Sequence, residues 1–241
     1  PWEVDPLPLL ISASEWQGIE AGIAQRADLL NRVLADVYGA QTLLREGDIP
    51  PAVIFGHAGY LHPVQGIRPP GGVHLFHYAA DLARSSDGHW WIVSDRTQAP
   101  SGAGYALENR LVVSRVFPRL FHDLHVQHLA SFFGAFRDSL LRWAPRSGSG
   151  MSMAMGPGGM AMNLGKPEGP PLIGLLTPGP YNETYFEHAL LARYLGFTLV
   201  EGSDLTVRDG CVWLKTVEGL KRVHALVRRQ DDDYCDPLEL R

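Results

Sequence analysis

Apolar positions Trp16, Ile19, Ile23, Ala27, Leu30, Leu34 and Val37 recur at steps of three and four, the spacing of one face of an α-helix. Ser12 with Glu15 supplies a capping box at the start and Gly39 a stop, so a long amphipathic helix is predicted, its aromatic and aliphatic stripe serving as core. A short helix near Ala40–Arg45 follows. The stretch to Gly72 is broken by Pro and Gly and reads as turns, because its glycines match no phosphate-loop spacing. The period then changes. Val73–Leu82 predicts a strand, Ser85-Ser86-Asp87-Gly88 a turn, and Trp90-Trp91-Ile92-Val93 a buried strand. After a Pro/Gly loop, Tyr105-Ala106-Leu107 is expected as its antiparallel partner, which makes a three-stranded meander. Helical spacing returns over Phe117–Ala144, as one or two helices.

Residues 146–170 differ in kind. All five methionines fall here, among glycines and prolines without periodicity. The segment is expected to be a low-complexity linker separating 1–145 from 171–241, because nothing in it could bury a core; soft thioethers as Cu(I) ligands are the alternative. Beyond it, Leu172–Thr177 reads as an apolar strand, Asn182 as the cap of a helix from Glu183 to Leu195 closed by Gly196, and Phe197–Val200 as a second strand. Such a β-α-β unit implies parallel pairing. Asp209-Gly210 turns a hairpin between Leu205-Thr206-Val207 and Val212-Trp213-Leu214, and Val223–Val227 forms a further strand. The expected class is α+β with an α/β part.

A net charge of −5 argues against a nucleic-acid partner, which needs a basic face. Two cysteines, Cys211 and Cys235, make no disulfide framework and point to a reducing compartment, so the cytoplasm is expected. No apolar run is long enough to span a bilayer and no signal peptide is visible. The chain starts at Pro1 and stops at Arg241, and is expected to be a fragment.

Candidate chemistry lies around the predicted strand pair. Asp95 stands where the first strand ends, while Glu108, Asn109 and Arg110 continue the second. Two carboxylates and a carboxamide are hard oxygen donors, and beside Arg96 and Arg110 they suit Mg²⁺ carrying a polyphosphate. The competing reading is a surface hairpin ending in solvated charges. Asp81 is a third acid near the end of the preceding strand. His122, His125 and His128 share a helix face, but no acid or thiol partner joins them to make a zinc site.

Asp95, twelve residues, then Glu108 beside Asn109 is similar to the metal signature of ATP-grasp ligases. SDRTQAPSGAGYALENR, LLTPGPYNETYFEHALLARYLGF, VEGSDLTVRDG and VRRQDDDYCDPLELR resemble the circularly permuted ATP-grasp family related to glutathionylspermidine synthases. One departure stands out: in ordinary members a residue separates Glu from Asn, whereas here they are adjacent and a regular strand would point them to opposite faces. Either a bulge re-aims Asn109 or Arg110 takes its place on phosphate.

The resemblance implies an ATP-dependent carboxylate-amine ligase using ATP and Mg²⁺, with an acylphosphate intermediate and small-molecule or peptide substrates. Asp95, Glu108 and Asn109 would hold the metal, and Arg96 and Arg110 would bind and neutralise the transferring phosphoryl group. It also implies that 171–241 is a Rossmann-like domain in which Tyr181, Asn182, Glu183 and Arg228 contact substrate. Ordinary alternatives stand beside these roles: core packing for Tyr181, a helix-terminal charge for Glu183, and a surface ion pair with Asp231, Asp232 and Asp233 for Arg228. With only three lysines, Lys166, Lys215 and Lys221, and no Gly-rich lid, the remaining ATP-grasp subdomain is expected after residue 241, so this segment alone should not turn over ATP. A catalytically inactive ATP-grasp-like binding or scaffold module is the alternative.

Overall fold

The computed structural model describes residues 7–144 and 170–231. The linker expected over 146–170 therefore lies outside the described residues except for Pro170, as do Asp232, Asp233 and Cys235. Helix and sheet are mixed. One compact unit runs to Ser101 and takes in Gln230 and Asp231; the other extends from Gly102 to Arg229.

The first unit is built on helix α1 (Ala13–Val37), which starts on the predicted capping box: the Ser12 hydroxyl accepts from the Glu15 amide and the Glu15 carboxylate accepts from the Ser12 amide. Its apolar stripe buries Ile19 and Val37. Short helices α2 (Thr42–Arg45) and α3 (Pro51–Phe55) follow, then a two-stranded antiparallel ribbon of β1 (Ala79–Arg84) and β2 (Trp90–Arg96). The predicted three-stranded meander is thus corrected to two strands, and β1 begins six residues later than expected. Nor is β2 buried, since Trp91 and Val93 are 63% and 67% exposed. Helix α1 braces the ribbon through ion pairs Glu15–Arg84 and Arg26–Asp95, while the Asn31 side-chain carbonyl accepts from the His74 and Leu75 amides.

The second unit opens with α4 (Ala103–Val116), α5 (Pro118–Asp123) and α6 (Ala130–Trp143). Parallel strands β3 (Ile173–Leu176), β4 (Thr198–Val200) and β8 (Ala225–Arg228) form a sheet in the order β4-β3-β8, with α7 (Tyr185–Leu195) crossing from β3 to β4. This β-α-β unit follows the sequence pattern, although α7 starts at Tyr185 behind Thr184 rather than behind Asn182. An antiparallel sheet of β5 (Leu205–Arg208), β6 (Cys211–Thr216) and β7 (Gly219–Arg222) adjoins it. The two sheets share a core of Val200, Leu214 and Val223, flanked by Leu172, Leu176, Leu205, Val212 and Leu226. Leu191, Ala192 and Leu195 are buried on α7.

Candidate functional site

Tyr105-Ala106-Leu107 lies inside helix α4, and the strand expected there does not form. The physical reason lies at the first turn of α4. Gly102 adopts φ 115°, open to glycine at no steric cost, and its carbonyl accepts the Ala106 amide while the Glu187 carboxylate caps the first amides. The antiparallel partner of β2 is instead β1. Asp95 and Glu108 consequently do not come from paired strands: Asp95 is the next-to-last residue of β2 in the first unit and Glu108 rides α4 in the second. The question of a bulge at Asn109 disappears, because Glu108, Asn109 and Arg110 take successive positions around a helix.

Within the ribbon, register sorts the acids. Asp95 pairs with Ala80 and Asp81 with Ser94, with a bulge between Asp81 and Leu82. Side chains alternate along each strand, so Asp81 and Asp95 point to opposite faces. Arg26 from α1 donates Nε to one Asp95 oxygen and Nη2 to the other, both at 2.6 Å, and the Tyr78 hydroxyl donates at 2.5 Å. These donors hold the Asp95 carboxyl down at about 2, the Arg26 hydrogen bond contributing most. Burial, then the Asp95 carboxylate, pushes Tyr78 up to about 12. On the other face Asp81 accepts from Ser94 and from Arg96 Nε at 2.9 and 3.2 Å. As placed, the ribbon offers no shared two-acid cradle for Mg²⁺, and both Asp95 oxygens already have donors. Among the described residues no group of three or more His, Cys, Asp or Glu side chains could hold a metal.

The other predicted residues are placed as follows. Arg110 lies 5.8 Å over the Phe121 ring, and Glu108 and Asn109 are half-buried on α4. Tyr181 and Glu183 are exposed in the loop after β3, where Asn182 accepts from Thr184 rather than capping α7 directly. Arg228 ends β8 opposite Leu176, the last residue of β3. The carboxyl ends of these two parallel strands are therefore neighbours, the usual ligand edge of an open α/β sheet.

Beneath that edge lies a polar cluster that the sequence did not single out. Glu187 is fully buried on α7 and accepts from the Gly102 amide at 2.8 Å and the Gly104 amide at 2.9 Å. Arg229 Nη2, just past β8, stands 3.7 Å from the Glu187 carboxylate, and burial pulls the guanidinium below its ordinary value while Glu187 opposes the shift. A Cβ on Gly104 would stand 2.7 Å from Glu187 Cγ, so only glycine allows α4 and α7 to approach this closely. Next on α7, buried His188 bonds Thr177 Oγ1 at 2.9 Å and Thr184 Oγ1 at 3.0 Å. Burial first and the Arg229 charge second lower its pKa to about 4. One signal for Glu187 and His188 was present: they occupy the helix face of Leu191, Ala192 and Leu195, where polar residues need internal partners. No comparable signal marked Arg26 or Tyr78.

A model of the family "circularly permuted ATP-grasp type 2" matches residues 8–241. The chain belongs to this family. Its relatives include an uncharacterized Mycobacterium tuberculosis protein, 43% identical over all 241 residues and 25% of that protein's length. A second uncharacterized M. tuberculosis protein is 39% identical over the whole chain and 40% of its own length. An uncharacterized protein from Synechocystis sp. is 37% identical over 97% of the chain and 44% of its own length. The chain thus spans between a quarter and just under half of the length of these relatives. Among the described residues no helix is long and apolar enough to cross a membrane.

Proposed function

We propose that the complete protein is an ATP-dependent carboxylate-amine ligase that makes an amide or peptide bond. The observation that carries this reading is the family match over residues 8–241. A substrate carboxylate oxygen attacks the γ-phosphorus of ATP, the bond to the β-bridging oxygen breaks, and ADP leaves. An amine then attacks the acyl carbon, expels phosphate and loses a proton. Such chemistry relies on positioning and on neutralising developing charge.

Arg96 and Arg110 are the proposed phosphate-binding residues, and each must exchange a present partner, Asp81 or the Phe121 ring, to take that role. Asp95, Glu108 and Asn109 are the proposed ligands of Mg²⁺, which when bound would neutralise β- and γ-phosphate oxygens; Asp95 is available only once Arg26 lets go. The parallel sheet of the second unit is proposed to be the Rossmann-like, substrate-binding part. Glu183 and Arg228 there supply opposite charges suited to a zwitterion, with Tyr181 and Asn182 beside them.

The test is ADP formation by the complete protein with Mg²⁺ and ATP, screened against amino acids, small peptides and polyamines. Turnover that is lost in Asp95→Asn with the fold retained supports the assignment, and turnover left intact overturns the place given to Asp95. Failure to bind ATP in the presence of Mg²⁺ favours the inactive binding or scaffold module instead.

A further inference from the structure

The hydrogen bonds around His188 admit only one placement of protons. Asn182 Oδ1 accepts from the Thr184 amide at 2.9 Å, which fixes it as the oxygen of the carboxamide. It also receives the Thr184 hydroxyl at 2.6 Å, and that commits the single Thr184 proton. Thr184 Oγ1 can then only accept from His188 Nε2, 3.0 Å away, so Nε2 carries the ring proton. Nδ1 of the neutral ring is left as an acceptor and takes the Thr177 hydroxyl proton at 2.9 Å. The freed lone pair of Thr177 Oγ1 accepts the Gly179 amide at 3.2 Å. A second proton on His188 would turn Nδ1 into a donor and leave the Thr177 hydroxyl proton without an acceptor in the chain of bonds.

This relay runs from the end of β3, through α7, to the last loop residue before α7. It straps down both ends of the segment Pro178–Thr184, which is closed further by the Asn182 amide on the Gly179 carbonyl at 3.1 Å. The side chains left outside are those of Pro178 and Pro180 and, as polar groups, Tyr181, fully exposed, and Glu183. We propose that His188, as its Nε2–H tautomer, is a positioning residue that fixes this loop so that Tyr181 and Glu183 face an amine-bearing or zwitterionic substrate at the carboxyl edge of the parallel sheet. The functional half of this proposal rests on the substrate-site reading above; the tautomer and the strapped loop stand on the hydrogen bonds alone.

The experiment uses the 241-residue chain with isotope-labelled histidine and amide hydrogen exchange. Imidazole ¹⁵N shifts of His188 should report a protonated Nε2 and a bare Nδ1 at neutral pH. Thr184→Val, which removes the hydroxyl at similar size, should raise exchange at the Gly179 and Thr184 amides about tenfold or more, the loss of roughly one hydrogen bond, with β3 and the later turns of α7 unchanged. Thr184→Ser should restore protection. A protonated Nδ1, equal protection in the Val and Ser variants, or exchange rising uniformly across the unit would each overturn the proposal. ATP turnover by the complete protein is a separate readout: its absence would overturn the ligase reading and with it the substrate role given to Tyr181 and Glu183, while the tautomer and the strapped loop are decided by the imidazole shifts and the amide exchange.

Discussion

Arg26 closes on Asp95 as a two-pronged fork, Nε and Nη2 each 2.6 Å from a different carboxylate oxygen. The contact joins α1 to the end of β2 away from the hairpin turn, across 69 positions of sequence. It makes Asp95 the acid with the most strongly specified surroundings in the ribbon. Replacing Arg26 by Ala should let the Asp95 carboxyl rise from about 2 towards its ordinary value near 3.9. Tyr78→Phe should move it less, since the Arg26 bond is the larger cause. The folded carboxyl titrates below the unfolded one, so the stability it contributes is complete above pH 4 or so and is lost as pH falls through about 2. A ¹³C titration of the Asp95 carboxyl checks both substitutions.

His188 gives the second pH dependence. Its folded pKa, about 4, lies below the ordinary 6.5, so the unfolded chain takes up a proton first as pH drops. Its contribution is therefore full above about 6.5 and is lost as pH falls through about 4, on the order of 3 kcal/mol at most. Arg229 is the charged group that opposes the imidazolium. Chemical denaturation at a series of pH values should show a shallower acid slope in His188→Gln than in the wild type, and parallel slopes would contradict this account.

Gly104→Ala should destabilise the chain by about 1–3 kcal/mol, because the added methyl meets Glu187 Cγ at 2.7 Å in a packed interior. Gly18→Ala, on the exposed side of α1 with nothing within 4 Å, should have the opposite sign, gaining about 0.5–1 kcal/mol. Paired urea melts of the two variants make the comparison.

Glu187→Ala strips the cap from α4 and leaves Arg229 buried without that carboxylate. A loss of about 3–5 kcal/mol is expected, the cost of breaking a buried ion pair from one side. Glu187→Gln retains an acceptor for the glycine amides and should lose less. Hydrogen exchange at the start of α4 distinguishes loss of the cap from a general loss of stability.

Much of the architecture was legible in the residues for a physical reason. The period of α1, its capping box, the β-α-β unit and the Asp209-Gly210 hairpin are local patterns that tertiary packing had no cause to override. Tyr105-Ala106-Leu107 failed because three apolar residues do not discriminate strand from helix. The deciding partner, Glu187, lies more than eighty positions away. β7 escaped notice because Gly219-Leu220-Lys221-Arg222 is too polar to read as a strand without its neighbour β6. At the site, sequence marked Asp95, Arg96 and Asp81 but not Arg26 and Tyr78, which engage Asp95, and it favoured Arg228 where the buried arginine is Arg229. Ion pairs formed across long stretches of chain leave no local periodicity to find.

The central claim, that the complete protein activates a carboxylate with ATP, is tested most directly by trapping the activated carboxylate with hydroxylamine. With Mg²⁺, ATP and a pool of amino acids and small peptides, the account predicts a hydroxamate formed in step with ADP and lost in Asp95→Asn. ADP formed without any hydroxamate, or neither product across the pool, would contradict it.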